Sequence, residues 1–490
     1  MDRHGLRHRL GLFGGLAVFA LLLALPAPEG LSAAGWRAAA VGALMAVWWM
    51  SEALPIAATA LLPIALFPLL GVAPVDDAAS PYANPLIFLF LGGFLIALGM
   101  QRWDLHRRIA LTIIRAVGTR PRRIVGGFMV ASAFLSMWIS NTATAMMMLP
   151  IGTSVVGIAV PDAAEGGGPA ARGAEPRGGF AAALMLAIAY AASIGGMGTI
   201  VGSPPNALLV AFLDETMGIE VSFVSWMAVG VPVALAGLAG GYLLLTRVAF
   251  RMPRDEGGNA AGGAADSIRE ELRAMGPMSP QERAVAAVFG LTAALWVARP
   301  LVGRVVPGIS DTGIALVGGL LLFLIPADWR RGRFLLSWSD TRDVPWGVLL
   351  LFGGGLSLAS AVDATGLAAW IGGRLEAVGG LPTLAIVLAV VTTVILLTEL
   401  TSNTATTATF LPVVASLAAA LGLAPLLLLL PTTLAASCAF MMPVATPPNA
   451  IVYGSGRVTV PQMVRAGVWL NLLFVGLLTL AAFTLVPWVL

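Results

Sequence analysis

Ser140, Asn141 and Thr142 head the stretch SNTATAMMMLP, and Ser402, Asn403 and Thr404 head a near copy, SNTATTATFLP. Each triplet offers hydroxyl and amide groups without formal charge, set in apolar sequence. Ser, Asn and Thr are strong helix N-caps. Each triplet can therefore start a helix whose free N–H groups and positive dipole end attract an anion without any arginine. A second duplicated motif, Pro204-Pro205-Asn206 and Pro447-Pro448-Asn449, predicts two helix breaks. The prolines remove backbone donors and stop the incoming helix, so the chain unwinds there. The carbonyls freed near Gly202 and Ala445 join Ser136, Ser140 and Asn141 in one half, and Thr398, Thr401 and Asn403 in the other. Both sets are uncharged oxygen clusters suited to a hard cation such as Na+. Ser136 and Thr398 each stand four residues before their triplet, which predicts one helical turn on a shared face.

The elements that hold these groups must sit in a membrane. The chain has 490 residues, 58% of them hydrophobic and 11% charged, with a mean hydropathy of +0.90. That composition excludes a single soluble globule and predicts an all-α polytopic membrane protein. Runs of about 17 to 25 apolar residues, enough to cross the hydrocarbon layer, predict about eleven crossings, with two further apolar pairs. Those pairs, Ile124 to Ser140 with Ala143 to Val160 and their second-half counterparts, read as re-entrant hairpins tipped by the triplets, because neither arm carries the flanking charges of a crossing. The single Cys438 excludes an intramolecular disulfide, and His4, His8 and His106 are scattered, so no transition-metal site is visible. All 28 basic residues are arginine, a compositional bias that calls for no nucleic-acid partner. Neither a nucleophile–base pair nor a metal-ligand cluster converges as an enzyme requires, and the charge rings of a channel are missing.

The placement of arginine orients the chain. Three lie in the opening MDRHGLRHRL, seven in Gln101 to Arg123, six in Arg247 to Arg283 and four in DWRRGRFLLSWSDTRD, whereas GVAPVDDAASPYANP and LDETMGIEV have none. The positive-inside rule puts the N-terminus and the basic segments in the cytoplasm and Leu490 outside. The first apolar run also has the composition of a signal peptide, but the following spans fit a retained first helix.

A shift of 262 positions superposes Ser140 on Ser402 and LFLGGFLIA (from Leu89) on LFGGGLSLA (from Leu351), and GSPPNALLV matches ATPPNAIVY at 243. The difference equals the 19-residue Gly/Pro-rich loop PDAAEGGGPAARGAEPRGG, present only in the first half. The organisation expected is N-terminal scaffold helices over 1–83, a first repeat over 84–250, a cytoplasmic linker over 251–283 with a short helix at SIREELRAM, scaffold helices over 284–344 and a second repeat over 345–490. The basic amphipathic stretch before the first triplet predicts a helix on the cytoplasmic surface. Its counterpart, AVDATGLAAWIGGRLEAVGG, has one arginine and two acids and is expected outside. The repeats are then inverted, as in carriers that open one mid-membrane site to alternate sides. The glycines of LGGFLIALG and FGGGLSLAS are expected to serve close helix packing.

The paired SNTAT tips, the paired PPNA breaks and ASCAFMMPVATPPNAIV, with Ser437, Phe440, Pro443, Ala445 and Asn449, resemble the divalent anion:sodium symporter (DASS) family over nearly the whole chain. The resemblance implies a homodimer in the inner (plasma) membrane whose transport domain moves like an elevator against a fixed scaffold. It implies that Ser140, Asn141, Thr142, Ser402, Asn403 and Thr404 hold the substrate carboxylates, with Thr446 and Pro447. One Na+ is implied among Ser136, Ser140, Asn141 and Gly202, and another among Thr398, Thr401, Asn403 and Ala445. Ser203 departs from the Thr common in the family but keeps the hydroxyl. The expected activity is Na+ symport of C4 dicarboxylates (succinate, malate, fumarate). Na+-independent exchange, or a cargo of citrate, tartrate or sulfate, is the alternative. Glu399, whose counterpart is Met137, is an ionisable group in a membrane segment. It reads as a structural partner of a nearby polar group in preference to a coupling site.

Overall fold

The structure is a computed structural model that describes residues 3–118, 120–159, 175–250, 259–375 and 380–489. Most of the Gly/Pro-rich loop and the start of the linker lie outside the described residues, as does Leu490. Apolar sequence becomes helix because a backbone in hydrocarbon must satisfy its own N–H and C=O groups. Among the described residues six helices are long and apolar enough to cross a membrane, and five further apolar helices are shorter.

The chain opens with α1 (Arg3–Ala24) packed along α2 (Ala33–Ser51), followed by short α3 (Ile56–Thr59), α4 (Leu62–Leu69) and α5 (Val75–Ala79). A first series then runs through α6 (Pro85–Arg102), α7 (Leu105–Val117), α8 (Pro121–Ser136), α9 (Asn141–Ala159), α10 (Glu175–Gly196), α11 (Pro204–Met217) and α12 (Phe223–Leu243). Linker helix α13 (Asn259–Ala274) is longer than SIREELRAM and lies on α7 and α9. Next come α14 (Pro280–Val302) and α15 (Asp311–Leu324). The second series repeats the order of the first: α16 (Trp346–Ala364), α17 (Leu367–Leu375), α18 (Thr383–Thr398), α19 (Asn403–Ala420), α20 (Pro425–Ala436), α21 (Pro447–Gly454) and α22 (Val460–Thr484), before a final α23 (Val486–Val489).

One feature departs from the all-α expectation. Pro326–Asp328 (β1) and Arg333–Phe334 (β2) pair antiparallel. Asp328 holds this ribbon closed, accepting from the Arg331 backbone N–H and the Arg333 guanidinium at 3.2 and 3.3 Å, and Gly332 takes the left-handed φ of +60° that the turn requires.

The glycines of the duplicated stretch serve packing. A Cβ on Gly92 would fall 2.4 Å from the Ala315 carbonyl carbon, and one on Gly354 would fall 2.3 Å from the Ala60 carbonyl oxygen. The series interlock through their broken helices. Helix α11 of the first packs on α19 and α20 of the second, while α21 of the second packs on α9 and α10 of the first. That exchange brings the two triplets and the two breaks to one place.

Candidate functional site

The prolines act differently from the expectation. Helix α10 ends at Gly196 and α20 at Ala436, well before either proline pair. Pro204 and Pro447 occupy the first positions of α11 and α21. A first-turn residue has no intrahelical acceptor for its N–H, so proline loses nothing there and arrives with a helical φ. The unwound segments are held by the asparagines that follow. Asn206 Nδ2 donates to the carbonyls of Gly196 (2.8 Å) and Thr199 (2.7 Å), and Asn449 Nδ2 donates to those of Ala439 and Met442 (3.0 Å each). All four acceptors match at the same offset of 243. The motif spacing made this role discoverable, yet sequence reasoning did not assign these asparagines to the site.

The triplets lie at the turns that join consecutive, contacting helices. Helix α8 stops at Ser136 and α9 starts at Asn141; α18 stops at Thr398 and α19 starts at Asn403. Ser140 caps α9 by accepting from the Ala143 N–H (3.2 Å), whereas the Ser402 hydroxyl makes no cap bond to α19. Ser136 and Thr398 therefore meet their triplets across the turn and not along one helical face, since each helix ends at that residue. Ser136 Oγ lies 2.6 Å from the Asn141 amide, and Thr398 Oγ1 donates to Asn403 Oδ1 at 2.9 Å.

Around Asn141 the oxygens converge. Its inward amide atom faces Ser136 Oγ at 2.6 Å and the carbonyls of Ala192 and Gly202 at 3.2 and 3.3 Å, an environment that satisfies an amide N–H or a small cation. A Cβ on Gly202 would fall 2.6 Å from the Gly196 carbonyl oxygen and 3.0 Å from that of Ser136. Ser136, Asn141 and Gly202 are thus brought together as expected, joined by the unforeseen carbonyls of Ala192 and Gly196. Ser140 lines the cavity described below, its hydroxyl capping α9. In the second half Thr398 and Asn403 meet, and the same Thr398 hydroxyl, with one hydrogen to share, also lies 2.7 Å from the Ala436 carbonyl. The Thr401 hydroxyl is engaged by the Leu397 carbonyl (2.9 Å) and the Thr406 hydroxyl (2.6 Å).

Glu399 is buried and fully partnered. Its carboxylate accepts from the backbone N–H groups of Phe440, Met441 and Met442 at 2.8 to 3.0 Å and from Asn471 Nδ2 at 2.8 Å. The break after α20 is wound around this acid. The first half reaches a similar end without charge, through the Thr199 hydroxyl donating to the Met137 carbonyl.

A cavity of about 710 Å³ collects both halves. Its lining includes Ser140, Asn141, Thr142, Gly202, Ser203 and Pro204 from one series and Ser402, Asn403, Thr404, Ala445, Thr446 and Pro447 from the other. Four helices, α9, α11, α19 and α21, direct their N-termini at it. Each contributes a partial positive charge of roughly one half at its N-terminus. Among the described residues no arginine lines the cavity, and its two acids, Glu52 and Asp343, flank it at the end of α2 and before α16. Such a space offers an anion dipoles in place of charges, and Asn141, Gly202, Asn403 and Ala445 of the oxygen clusters are part of its lining.

Residues 7–490 match the profile of the family described as the sodium:sulfate symporter transmembrane region. The chain belongs to that family. Among similar members of the sodium:sulfate symporter family is the sodium-dependent dicarboxylate transporter SdcS of Staphylococcus saprophyticus, 41% identical over 482 residues, covering 98% of this chain and 91% of that protein. SdcS of Staphylococcus aureus strain USA300 is 41% identical over 485 residues, covering 98% and 92%. Two solved transporters are similar in fold: Neisseria gonorrhoeae MtrF (TM-score 0.58, 11% identity, 97% of this chain and 95% of that one) and Alcanivorax borkumensis YdaH (TM-score 0.56, 12% identity, 98% of each). As a symporter of this family the chain is a multi-pass membrane protein that uses Na+ as its coupling ion.

Proposed function

We infer that this chain imports C4 dicarboxylates such as succinate, malate or fumarate by sodium-coupled symport. The observation that carries the reading is the cavity itself. Four helix N-termini and the Ser-Asn-Thr groups of both halves face one anion-sized space with no arginine in its lining among the described residues. A dianion there lacks full countercharge unless cations occupy the oxygen clusters that share its lining. Cargo and Na+ then stabilise one another's binding, which is coupling in thermodynamic form. The relatives named sodium-dependent dicarboxylate transporters support this choice of cargo.

Ser140, Asn141, Thr142, Ser402, Asn403, Thr404, Thr446 and Pro447 hold the carboxylates in this account. One Na+ sits among Ser136, Asn141 and Gly202 with the Gly196 carbonyl, and a second near Thr398, Asn403 and Ala445. The two series are inverted repeats. With the basic segments cytoplasmic, Glu52, Gln101 and Asp343 lie on the inner side, so the cavity opens inward. The carrier works as a homodimer, with the hairpins and broken helices travelling as one body against the remaining helices.

Radiolabelled succinate uptake into proteoliposomes tests this. The expected result is uptake driven by an inward Na+ gradient, absent when K+ replaces Na+, and inhibited by unlabelled malate and fumarate. Uptake indifferent to Na+ but accelerated by internal succinate would replace symport with exchange.

A further inference from the structure

The positive-inside rule accounts for arginine near the membrane, but it does not explain why three of them share one recess. Helix α7 buries Leu105, Ala110, Leu111 and Ile114 and packs on α8. Linker helix α13 is fixed beside it by ion pairs. Arg107 binds Glu271 at 3.2 Å, while Arg108 binds Glu282, at the start of α14, and donates to the Gly276 carbonyl at 2.9 Å. These contacts use up two guanidinium groups and leave Arg115 of α7 and Arg269 and Arg273 of α13 lining a recess of about 420 Å³ floored by Leu272. Arg269 has a carboxylate partner, Asp266 at 2.7 Å, on its exposed side. Arg115 and Arg273 have none among the described residues.

Three arginines around one recess, only Arg269 of them paired with a carboxylate, leave a net positive charge that an anion balances, and a phosphate ester with several acceptor oxygens suits guanidinium donors. Recesses of this kind on the cytoplasmic side of membrane proteins take lipid headgroups. The half-buried Leu272 and the amphipathic α7 set apolar surface beside the basic groups, as a phosphate headgroup joined to acyl chains requires.

We propose that Arg115, Arg269 and Arg273 form a binding site for the phosphate of an anionic phospholipid of the inner leaflet, bridging α7 to the linker helix α13. The assignment to the inner leaflet rests on the orientation inferred above. The binding itself is measured in detergent, where orientation plays no part, so the two can fail separately.

Native mass spectrometry of the full chain, titrated with phosphatidylglycerol or phosphatidylcholine, tests the site. The intact protein should retain phosphatidylglycerol in preference to phosphatidylcholine. Arg115→Gln/Arg273→Gln should bind it about thirty-fold more weakly, from roughly 1 kcal/mol per basic residue at a membrane surface. Arg330→Gln/Arg342→Gln, with the same charge change in another basic segment, should bind it normally. Arg115→Lys/Arg273→Lys keeps the charge, and a smaller loss is expected from its missing planar fork. It also serves as the readable variant should the glutamine pair fail to fold. Equal retention of both lipids by the intact protein, or equal loss in both glutamine pairs, overturns the proposal. Displacement of the lipid by about 10 mM inorganic phosphate, but not by sodium chloride of equal ionic strength, which screens charges alike, would assign the recess to free phosphate instead.

Discussion

The oxygen cluster around Asn141 and Gly202, proposed above to hold a cation, is closed to a methyl group, and this yields a sharp test. In Gly202→Ala the new Cβ would sit 2.6 Å from the Gly196 carbonyl oxygen and 3.0 Å from the Ser136 carbonyl oxygen. These are backbone atoms, so relief requires the oxygens themselves to separate. Overpacking of this kind costs about 1 to 3 kcal/mol. If that cost falls on the cation-bound arrangement, the Na+ concentration for half-maximal uptake rises by about 5- to 150-fold, at roughly 1.4 kcal/mol per decade. The matching position in the second half, Ala445, already carries a methyl group, so Ala445→Gly should shift Na+ dependence far less. The assay is initial succinate uptake against Na+ concentration in proteoliposomes, with thermal unfolding of each purified variant as the folding control. A folded Gly202→Ala protein with unchanged Na+ dependence would refute the placement of a cation at this cluster.

Other substitutions separate roles that the structure distinguishes. Thr398→Val should weaken Na+ dependence at least tenfold, whereas Thr401→Val should leave it unchanged, because the Thr401 hydroxyl is spent on Leu397 and Thr406; equal effects on uptake kinetics would restore Thr401 to the site. Glu399→Gln turns one acceptor of the Phe440 to Met442 N–H groups into a donor, and charge-assisted bonds contribute about 1.5 to 3 kcal/mol each. The melting temperature and membrane yield should fall, with the pH profile of the surviving protein unaltered; a normally stable variant with a lost pH dependence would make Glu399 a coupling residue. Asn206→Ala and Asn449→Ala each strand two buried carbonyls, at about 1 to 3 kcal/mol per group, and should lower the melting temperature by similar amounts. His106, on the amphipathic helix α7, is kept neutral by burial, which lowers its pKa, while its Nδ1–H donates to the Met100 carbonyl at 2.9 Å. The unfolded chain takes up that proton more readily, so stability held above the ordinary histidine range is lost as pH falls through it. Melting curves of His106→Gln should show a smaller acid loss than those of the unaltered protein.

Much of this site was legible because duplication supplies an internal control. A lone Ser-Asn-Thr is uninformative, but two at one offset, beside paired glycines and paired breaks, predict one shared location, and Ser140 and Ser402 do line one cavity. The illegible parts share a cause: they depend on partners distant in sequence. Proline can either end one helix or begin the next, and only the termination of α10 at Gly196 and α20 at Ala436 shows that it begins one here. The α20 break is stabilised by Glu399, about forty positions earlier, and pattern alone cannot pair an acid with three backbone amides so far away. The contact of the Thr401 hydroxyl with Thr406 appears only once α19 is wound. The β1–β2 ribbon is too short to leave a periodic signal.

Equilibrium binding of succinate to the purified protein, by calorimetry across a series of Na+ concentrations with choline as replacement, tests coupling without any transport step. The account predicts succinate affinity that rises steeply with Na+, with a log–log slope approaching about two as both clusters fill, and negligible binding in choline. Equal affinity in Na+ and choline would contradict it, because the cavity would then hold the dianion on its helix ends alone.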